Sequence, residues 1–306
     1  MLRHLIIRLL SCAVVLLTTA AQAGTLNVRL ILSDSSPPYQ QFAASFNKAL
    51  AASKADVAVT ESQAISGANT DLIVTVGMKV TGLTAAQTGT PVLAVMVPRI
   101  GYENLVTPVV PQKPIRSISA IYLDQPWDRQ LDFWRAALPE RRRIGLLHSL
   151  DTRIDVARLR RDISDRGGSL VAQPVRSAEG LFSSLENVLD GSDVLLAIPD
   201  GMIYSSSNIR NILLTSYRHG VPLIGLSQSY VNAGALCAIF STPEQLAEQA
   251  SSAVILFSRA RQLPDSQYPA DFTIAVNQQV ARSLGIELPS LEAIRSQMDK
   301  AKEERR

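Results

Sequence analysis

The feature that most constrains this chain is a regular alternation between two kinds of hydrophobic run. Short runs rich in Val, Ile and Leu, such as Leu26–Leu32 and Asp71–Val76, alternate with longer amphipathic runs, such as Tyr39–Ala52. The short runs are typical of strands buried on both faces, and the longer runs have the spacing of helices that pack on a sheet. This order predicts an α/β fold in which parallel sheets are covered by helices.

The alternation occurs twice along the chain. One β-α-β-α-β series starts at Leu26 and a second starts at Arg143, and each is about 110 residues long. Between the two series, residues 98–116 contain four prolines and show no clear element. The sequence therefore predicts two similar lobes, although the two series share no recognisable sequence identity.

Residues 1–23 have the organisation of a targeting signal. Arg3 and Arg8 precede an apolar stretch, and Ala21-Gln22-Ala23 then places small residues before a cleavage point. The apolar stretch of about 12 residues is too short to cross a bilayer, which needs roughly 20 helical residues. We predict a cleaved signal peptide and export to the periplasm, with an uncleaved anchor or lipidation at Cys12 as the alternatives.

Composition excludes several classes of protein. The chain is 46% hydrophobic and 19% charged, so it can bury enough surface to fold. Removal of residues 1–23 leaves 28 basic and 27 acidic residues, and a net charge of +1 is too small for a nucleic-acid-binding face. Cys237 is then the single cysteine, and its apolar neighbours predict a buried thiol without a disulfide.

Signatures of catalysis are weak. The sequence has no phosphate loop, no dinucleotide fingerprint and no His-Glu-x-x-His motif, so we predict neither a cofactor nor a metal. The segment Gly225–Ser229 approaches a nucleophile elbow but lacks its last glycine. His148 and His219 are the histidines available as a base, and an enzyme that uses Asp200 or Ser227 is therefore only the third hypothesis.

Candidate ligand-binding residues follow the predicted strands, because ligands of α/β sheets bind beyond the carboxyl ends of strands. Asp200 can pair with a ligand ammonium, cap the helix predicted to begin near Ser205, or lie in a solvated turn. Ser35 and Ser36 can bind a ligand carboxylate or cap the next helix, and Tyr230 can stack on a ligand or pack between the lobes. The other candidates at strand ends are Gly77, Met78, Pro98, Asp124, Ser149 and Ser227.

Seven segments follow one another in an order that matches a known family. They are Asp71–Gly77, Pro91–Ala94, Arg143–Leu147, Asp193–Asp200, Pro222–Ser227, Tyr230–Ala235 and Val276–Pro289. Together they resemble the substrate-binding proteins of ABC transporters with the type I periplasmic binding fold, whose characterised relatives bind aromatic amino acids such as tryptophan. The resemblance covers nearly the whole mature chain. It implies two Rossmann-like lobes, joined by a three-crossing hinge, that close on a ligand.

The resemblance also implies how the chain is divided. The N-terminal lobe would contain residues 24–118 plus 242–270, and the C-terminal lobe residues 119–241 plus 271–292. Residues 293–306 would form a charged tail. The sequence predicts a helix from Ser290 to Arg306, and we expect its highly charged last run, residues 299–306, to be a solvated and fraying terminus. The family's ligand-binding loops carry over to Gly77, Met78, Pro98, Asp200, Ser227 and Tyr230.

Two places depart from the family pattern. The family's Asp-Pro after the fourth strand is Val97-Pro98 here, and its Asn-Val-Thr-Gly near the first crossing is Arg116–Ala120. We therefore expect a diverged ligand specificity. The leading hypothesis is a monomeric periplasmic protein that delivers a small molecule to the inner-membrane permease of an ABC transporter. The alternative is a sensory module of the same fold that signals to a membrane receptor.

Overall fold

The computed structural model describes residues 25–65, 67, 69–87, 89–107 and 118–305. The predicted signal peptide, Cys12 and the departure at Arg116 lie outside the described residues. In the part of the chain that is described, no helix is long and apolar enough to cross a membrane.

The first lobe is built on a parallel sheet of five strands. They are β1 (Leu26–Leu32), β2 (Val57–Glu61), β3 (Leu72–Val76), β4 (Val92–Val97) and β5 (Ile118–Tyr122). Helices α1 (Pro37–Ser53), α2 (Met78–Gln87) and α3 (Arg99–Val106) follow β1, β3 and β4. The strand order is β2-β1-β3-β4-β5. Every residue of β3 and β4 is buried, as expected for apolar strands covered on both faces.

The second lobe is built on a sheet of six strands. They are β6 (Arg143–Ser149), β7 (Ser169–Val175), β8 (Val194–Leu196), β9 (Leu223–Gly225), β10 (Cys237–Phe240) and β11 (Thr273–Val276), in the order β11-β10-β9-β8-β6-β7. Strand β11 is antiparallel to β10, so this sheet is parallel except at this edge. The chain enters β11 from the first lobe, which reverses its direction there.

Eight helices accompany the second half of the described chain. They are α4 (Trp127–Ala137), α5 (Val156–Asp165), α6 (Leu181–Gly191), α7 (Ile209–Arg218), α8 (Gln228–Ala233), α9 (Pro243–Ala260), α10 (Gln278–Ser283) and α11 (Leu291–Glu304). Helix α9 belongs to the first lobe, because its buried Leu246, Val254 and Phe257 share a core with Phe42 and Phe46 of α1. The chain thus crosses between the lobes after β5, before α9 and after α9. This confirms the two-lobed type I fold.

The edge of the first sheet lies at the first crossing. Strand β5 pairs with β4, and Gln267 of the third crossing hydrogen-bonds to Ala120 and Tyr122 of β5. The predicted lobe boundary at residue 118 therefore falls at the start of a strand, and the first crossing begins at Leu123. The exact residue ranges of the two segments that make up each lobe remain a prediction.

Helix α3 occupies part of the stretch that we expected to hold no clear element. Pro98 takes the N-cap position, where its missing N–H breaks no helical hydrogen bond. Tyr102 on this helix is buried against the first sheet, in a cluster that includes Val97 and Tyr122. Three of the four prolines in this stretch follow the helix in sequence. This run of prolines hid the pattern of the short helix that precedes it.

The C-terminal residues form helix α11, in which residues 299–304 are mostly exposed. Ile294 and Met298 of α11 are buried in the second-lobe core, in which α4 also takes part. The buried Asp132 of α4 pairs with Arg166 at 3.1 Å and forms a bidentate ion pair with Arg305. Two apolar residues four positions apart and one ion-pair cluster thus hold this helix against the second lobe, while its last charged residues stay mostly exposed.

Candidate functional site

A cavity of about 380 Å³ lies between the two lobes, beside the first crossing. Its first-lobe wall consists of Arg99 and Ile100 at the start of α3, Asp124 in the first crossing and Tyr268 in the third. The second-lobe wall comes from α4, the loop after β6, the start of α5 and the end of β8. Residues of this wall include Trp127, Asp128, Thr152, Arg153, Ile154, Asp155, Arg158, Leu159, Asp162, Ile198 and Pro199.

A smaller pocket of about 60 Å³ adjoins this cavity on the hinge side. The two spaces share Asp124, Gln125 and Pro199 as walls. The remainder of the small pocket is mostly apolar, with Leu123, Leu196, Ile224, Leu226 and Ile239 around it. A ligand that enters both spaces would meet charged groups in the cavity and an apolar wall beyond Asp124.

Asp124 is the sequence-predicted residue that lines the cavity directly. Its Oδ2 accepts the backbone N–H of Arg99 at 2.5 Å, which caps α3 from the neighbouring crossing. Burial raises the pKa of this carboxyl, and the hydrogen bond from Arg99 only partly opposes that effect. The Arg99 guanidinium itself pairs with Glu103 at 2.9 Å. A desolvated carboxylate thus faces the cavity.

Asp200 is occupied within the second lobe. Its Oδ2 accepts the Ser149 N–H at 2.8 Å and the Thr152 hydroxyl, and its Oδ1 accepts the N–H groups of Met202 and Ile203 at 3.1 and 3.3 Å. Burial is the largest influence and favours the neutral form, but these hydrogen bonds together hold the pKa of Asp200 below its usual value. This carboxylate closes the turn of residues 200–203 onto the loop after β6 and caps no helix, because α7 begins only at Ile209 with Asn208 as its N-cap.

Three other second-lobe candidates serve packing in this structure. Ser149 is buried, and its hydroxyl hydrogen-bonds to that of Thr152 at 2.9 Å. Tyr230 lies on α8, and its hydroxyl donates to the carbonyl of Tyr204 at 3.1 Å. It packs closely against Gly225, where an added Cβ would lie 2.5 Å from the Tyr230 Cβ. Ser227 precedes α8 as its N-cap residue. None of these three lines the interlobe cavity.

The first-lobe candidates near α1 and α2 lie apart from this cavity. Ser35 lines a separate groove of about 720 Å³ between the ends of β1 and β2 and helix α2. Ser36 is the N-cap residue of α1, and its N–H is accepted by Asp34 at 2.8 Å. Gly77 has a φ of +90° and faces the hydroxyl of Tyr39, while Met78 packs against Gly101. Pro98 adjoins the cavity only through Arg99.

The structure thus brings Asp124 to the cavity together with residues that the sequence did not single out. Trp127, Thr152 and Tyr268 are the chief additions. Thr152 lay three positions after the candidate Ser149, which was the available signal. Trp127 and Tyr268 lie in or beside crossings that are far apart in sequence, so no local pattern relates them.

The three crossings are joined by buried side chains next to the cavity. Gln125 donates to the Ser241 hydroxyl at 2.9 Å, and that hydroxyl donates to the Asp271 carbonyl at 2.5 Å. Arg129 donates to Gln125 at 2.7 Å and to the Pro269 carbonyl at 2.9 Å. One residue of each crossing is therefore in a single hydrogen-bonded chain, which fixes the hinge at the cavity wall.

Groups suited to metal binding or nucleophilic chemistry are scarce in the described ranges. No cluster of three or more His, Cys, Asp or Glu side chains arranged for a metal ion occurs there. Cys237 is buried in the second-lobe core, and burial raises the pKa of its thiol to about 12. A thiol with that pKa stays protonated and unreactive near neutral pH.

Two lobes, a three-crossing hinge and a cavity between them define a type I periplasmic-type binding protein. The family model described as ABC transporter substrate binding protein matches residues 39–300, and this chain belongs to that family. The resemblance stated from the sequence is thereby confirmed. Members of this family typically work outside the cytoplasm. A search of curated proteins gave no match.

Solved structures with low sequence identity share the fold. A Streptococcus pneumonia ABC domain in complex with L-Trp has a TM-score of 0.64 and 16% identity, with 90% of this chain and 98% of that chain covered. A ligand-free, open substrate-binding protein with adhesive properties from Clostridium difficile has a TM-score of 0.66 and 17% identity, with 88% and 97% covered. A conserved domain protein from Vibrio cholerae has values of 0.63 and 18%, with 89% and 98% covered.

Proposed function

We propose that this chain is a periplasmic solute-binding protein that captures a small molecule between its lobes and delivers it to the inner-membrane permease of an ABC transporter. The observation that carries the proposal is a cavity whose walls come from both lobes and from the hinge. Family membership supports delivery to a transporter over signalling to a membrane receptor. Capture needs no covalent step, and we propose no catalysis.

The cavity explains how binding would lead to closure. A ligand can shift the equilibrium between lobe arrangements only through contacts that differ between them. Ile100 and Tyr268 belong to the first lobe and the third crossing, whereas Ile154 and Ile198 belong to the second lobe. A molecule that touches both pairs gains contacts as the lobes approach, so it would stabilise the closed state that a permease recognises.

The proposal includes the maturation and state of the protein. Cleavage after Ala23 would release a mature chain of residues 24–306 into the periplasm, where it would act as a monomer. Amino-acid-like solutes are among the ligand candidates, and the Streptococcus pneumonia structure of the same fold contains L-Trp. The mature chain would bind its ligand without a cofactor.

A ligand screen tests this proposal. Purified residues 24–306 are screened by thermal shift against amino acids, amines and sugars, and small-angle X-ray scattering then compares the free and bound proteins. We expect at least one compound to raise the melting temperature and to reduce the radius of gyration. Ile100→Trp, which fills the cavity wall, should abolish the response.

Leu214→Trp is the matched control, because Leu214 on α7 is 46% exposed and lies away from the cavity. It should respond to the ligand as the unmodified chain does. A screen with no active compound would contradict the proposal. A ligand response that survives in Ile100→Trp would also contradict it, because binding would then occur elsewhere.

A further inference from the structure

The carboxylates that line the interlobe cavity differ in the ion pairs and hydrogen bonds that they form. Asp128 pairs with Arg166 at 2.9 Å, and Asp155 caps α5 by accepting the Arg158 N–H at 2.8 Å. Asp124 accepts one backbone N–H, but among the described residues no lysine or arginine forms an ion pair with it. Asp124 and Asp155 are therefore the cavity carboxylates that form no ion pair with a described lysine or arginine, although the Arg99 charge still acts on Asp124. Asp124 is the more buried of the two, whereas Asp155 is exposed.

Donors for a ligand carboxylate are largely engaged. The Thr152 hydroxyl at the second-lobe wall donates to Asp200, as does the N–H of Ser149, which does not line the cavity. The guanidinium of Arg158 is 3.7 Å from Asp162 in an exposed ion pair. Arg153 has an exposed side chain, and its attraction for an anion is weakened by water, because the effective dielectric constant is highest at the surface.

Two aromatic side chains line the same cavity. Tyr268 packs edge-on against Tyr122, with ring centroids 5.4 Å apart, and its carbonyl accepts from Gln249 at 3.1 Å. Trp127 begins α4 and packs partly against the second-lobe core. Aromatic faces attract ammonium groups, and tryptophan and tyrosine bind them better than phenylalanine does. Both rings are held in place before a ligand arrives.

From these observations we infer that the ligand of the interlobe cavity is an organic ammonium ion, bound through Asp124 between Trp127 and Tyr268, and that it needs no carboxylate. This inference rests on the proposed capture function and names its substrate class. The ammonium group would neutralise the desolvated carboxylate. The apolar body of the ligand would point to the pocket around Leu123 and Leu226, which adjoins Asp124.

Isothermal titration calorimetry on residues 24–306 tests this with tryptamine, choline and L-tryptophan as probes. Tryptamine and L-tryptophan share the ring and the amine, and they differ in the carboxylate. We expect tryptamine to bind at least about tenfold more tightly than L-tryptophan, because the donors that could bind the carboxylate are largely engaged. A tenfold difference in affinity corresponds to about 1.4 kcal/mol. Choline, with no transferable proton on nitrogen, should bind through charge and the aromatic faces alone.

Two variants separate the roles within the site. Asp124→Asn keeps an oxygen for the Arg99 N–H but removes the charge, and it should weaken tryptamine binding roughly 30-fold or more. Asp165→Asn is the matched control, since this carboxylate is exposed and does not line the cavity, and it should leave the affinity unchanged. Tyr268→Leu is the second test variant, to be used where Asp124→Asn does not fold. It should weaken the binding of both tryptamine and choline.

The outcomes distinguish this inference from the proposal beneath it. L-tryptophan binding as tightly as tryptamine, or more tightly, would overturn the ammonium assignment and leave solute capture standing. Unchanged tryptamine affinity in a folded Asp124→Asn variant, or in Tyr268→Leu where Asp124→Asn does not fold, would overturn it as well. If no probe and no compound of the wider screen binds, capture itself is overturned.

Discussion

Replacement of Asp200 by alanine should destabilise the fold, and the structure gives the size of the effect. The variant removes the acceptor of four hydrogen bonds. The N–H groups of Ser149 and Ile203 lie on buried residues, whereas Met202 and Thr152 are half-buried and can reach water. A buried donor left without a partner costs about 1–3 kcal/mol, so two of them predict a loss of about 2–6 kcal/mol.

Urea denaturation of residues 24–306 and of the variant measures this loss. The pKa of Asp200 is lowered in the folded state from its ordinary value of 3.8. Its contribution to stability is therefore fully present above that value and is lost as the pH falls through the folded pKa. The difference between the two proteins should stay constant from about pH 7 to about pH 5 and shrink below the ordinary pKa.

A particular result would refute this reasoning. If Asp200→Ala unfolds at the same urea concentration as the unmodified chain but no longer responds to a ligand, then Asp200 is a ligand-binding residue, as the sequence suggested. A loss of stability with an unchanged ligand affinity would establish that Asp200 serves the fold of the second lobe. Asp193→Ala is a useful control, because this carboxylate also accepts backbone N–H groups, from Arg142 and Arg143, but at exposed positions.

Two further predictions concern the strand end and the hinge. Gly77→Ala should cost about 1–3 kcal/mol, because φ is +90° and a Cβ would lie 2.5 Å from the Tyr39 hydroxyl; Gly201→Ala, with no atom within 4 Å, is the control, and equal urea midpoints would contradict the prediction. Ser241→Ala should cost about 1–2 kcal/mol of stability and broaden the interlobe distances measured between spin labels. Ser252→Ala, at an exposed position of α9, should do neither. An unchanged distance distribution in Ser241→Ala would contradict the role of the hydrogen-bonded chain in the hinge.

The sequence was informative about the fold because its main signal is local. Periods of apolar residues over ten positions predict a strand or a helix without knowledge of the remainder of the chain. Short elements were missed for the same reason. Helix α8 has only six residues, and its Tyr230 was expected in a loop. The antiparallel β11 depends on where the chain re-enters the second lobe, which no local period records.

The candidate site was predicted less well, since it depends on contacts between distant segments. The strand-end rule correctly pointed to the edge where Asp124 lies. The same rule gave equal weight to Asp200, and it had no means to find the donors that occupy this carboxylate. Tyr268 reaches the cavity from a crossing about 140 residues after Asp124, a distance over which single-sequence patterns carry no information.

The long-range contacts of both lobes also bear on when this polypeptide matures. The Phe46 carbonyl in α1 accepts a hydrogen bond from Ser251, 205 positions later, and Asp132 meets Arg305 across 173 positions. The first lobe cannot be completed before Ser251 has been synthesised, and the second lobe cannot be completed before Arg305. Contacts of such high sequence separation form slowly. Folding of the second lobe therefore follows synthesis of its last helix. Under the proposed export to the periplasm, this delay would let a translocation channel take up the chain before it folds.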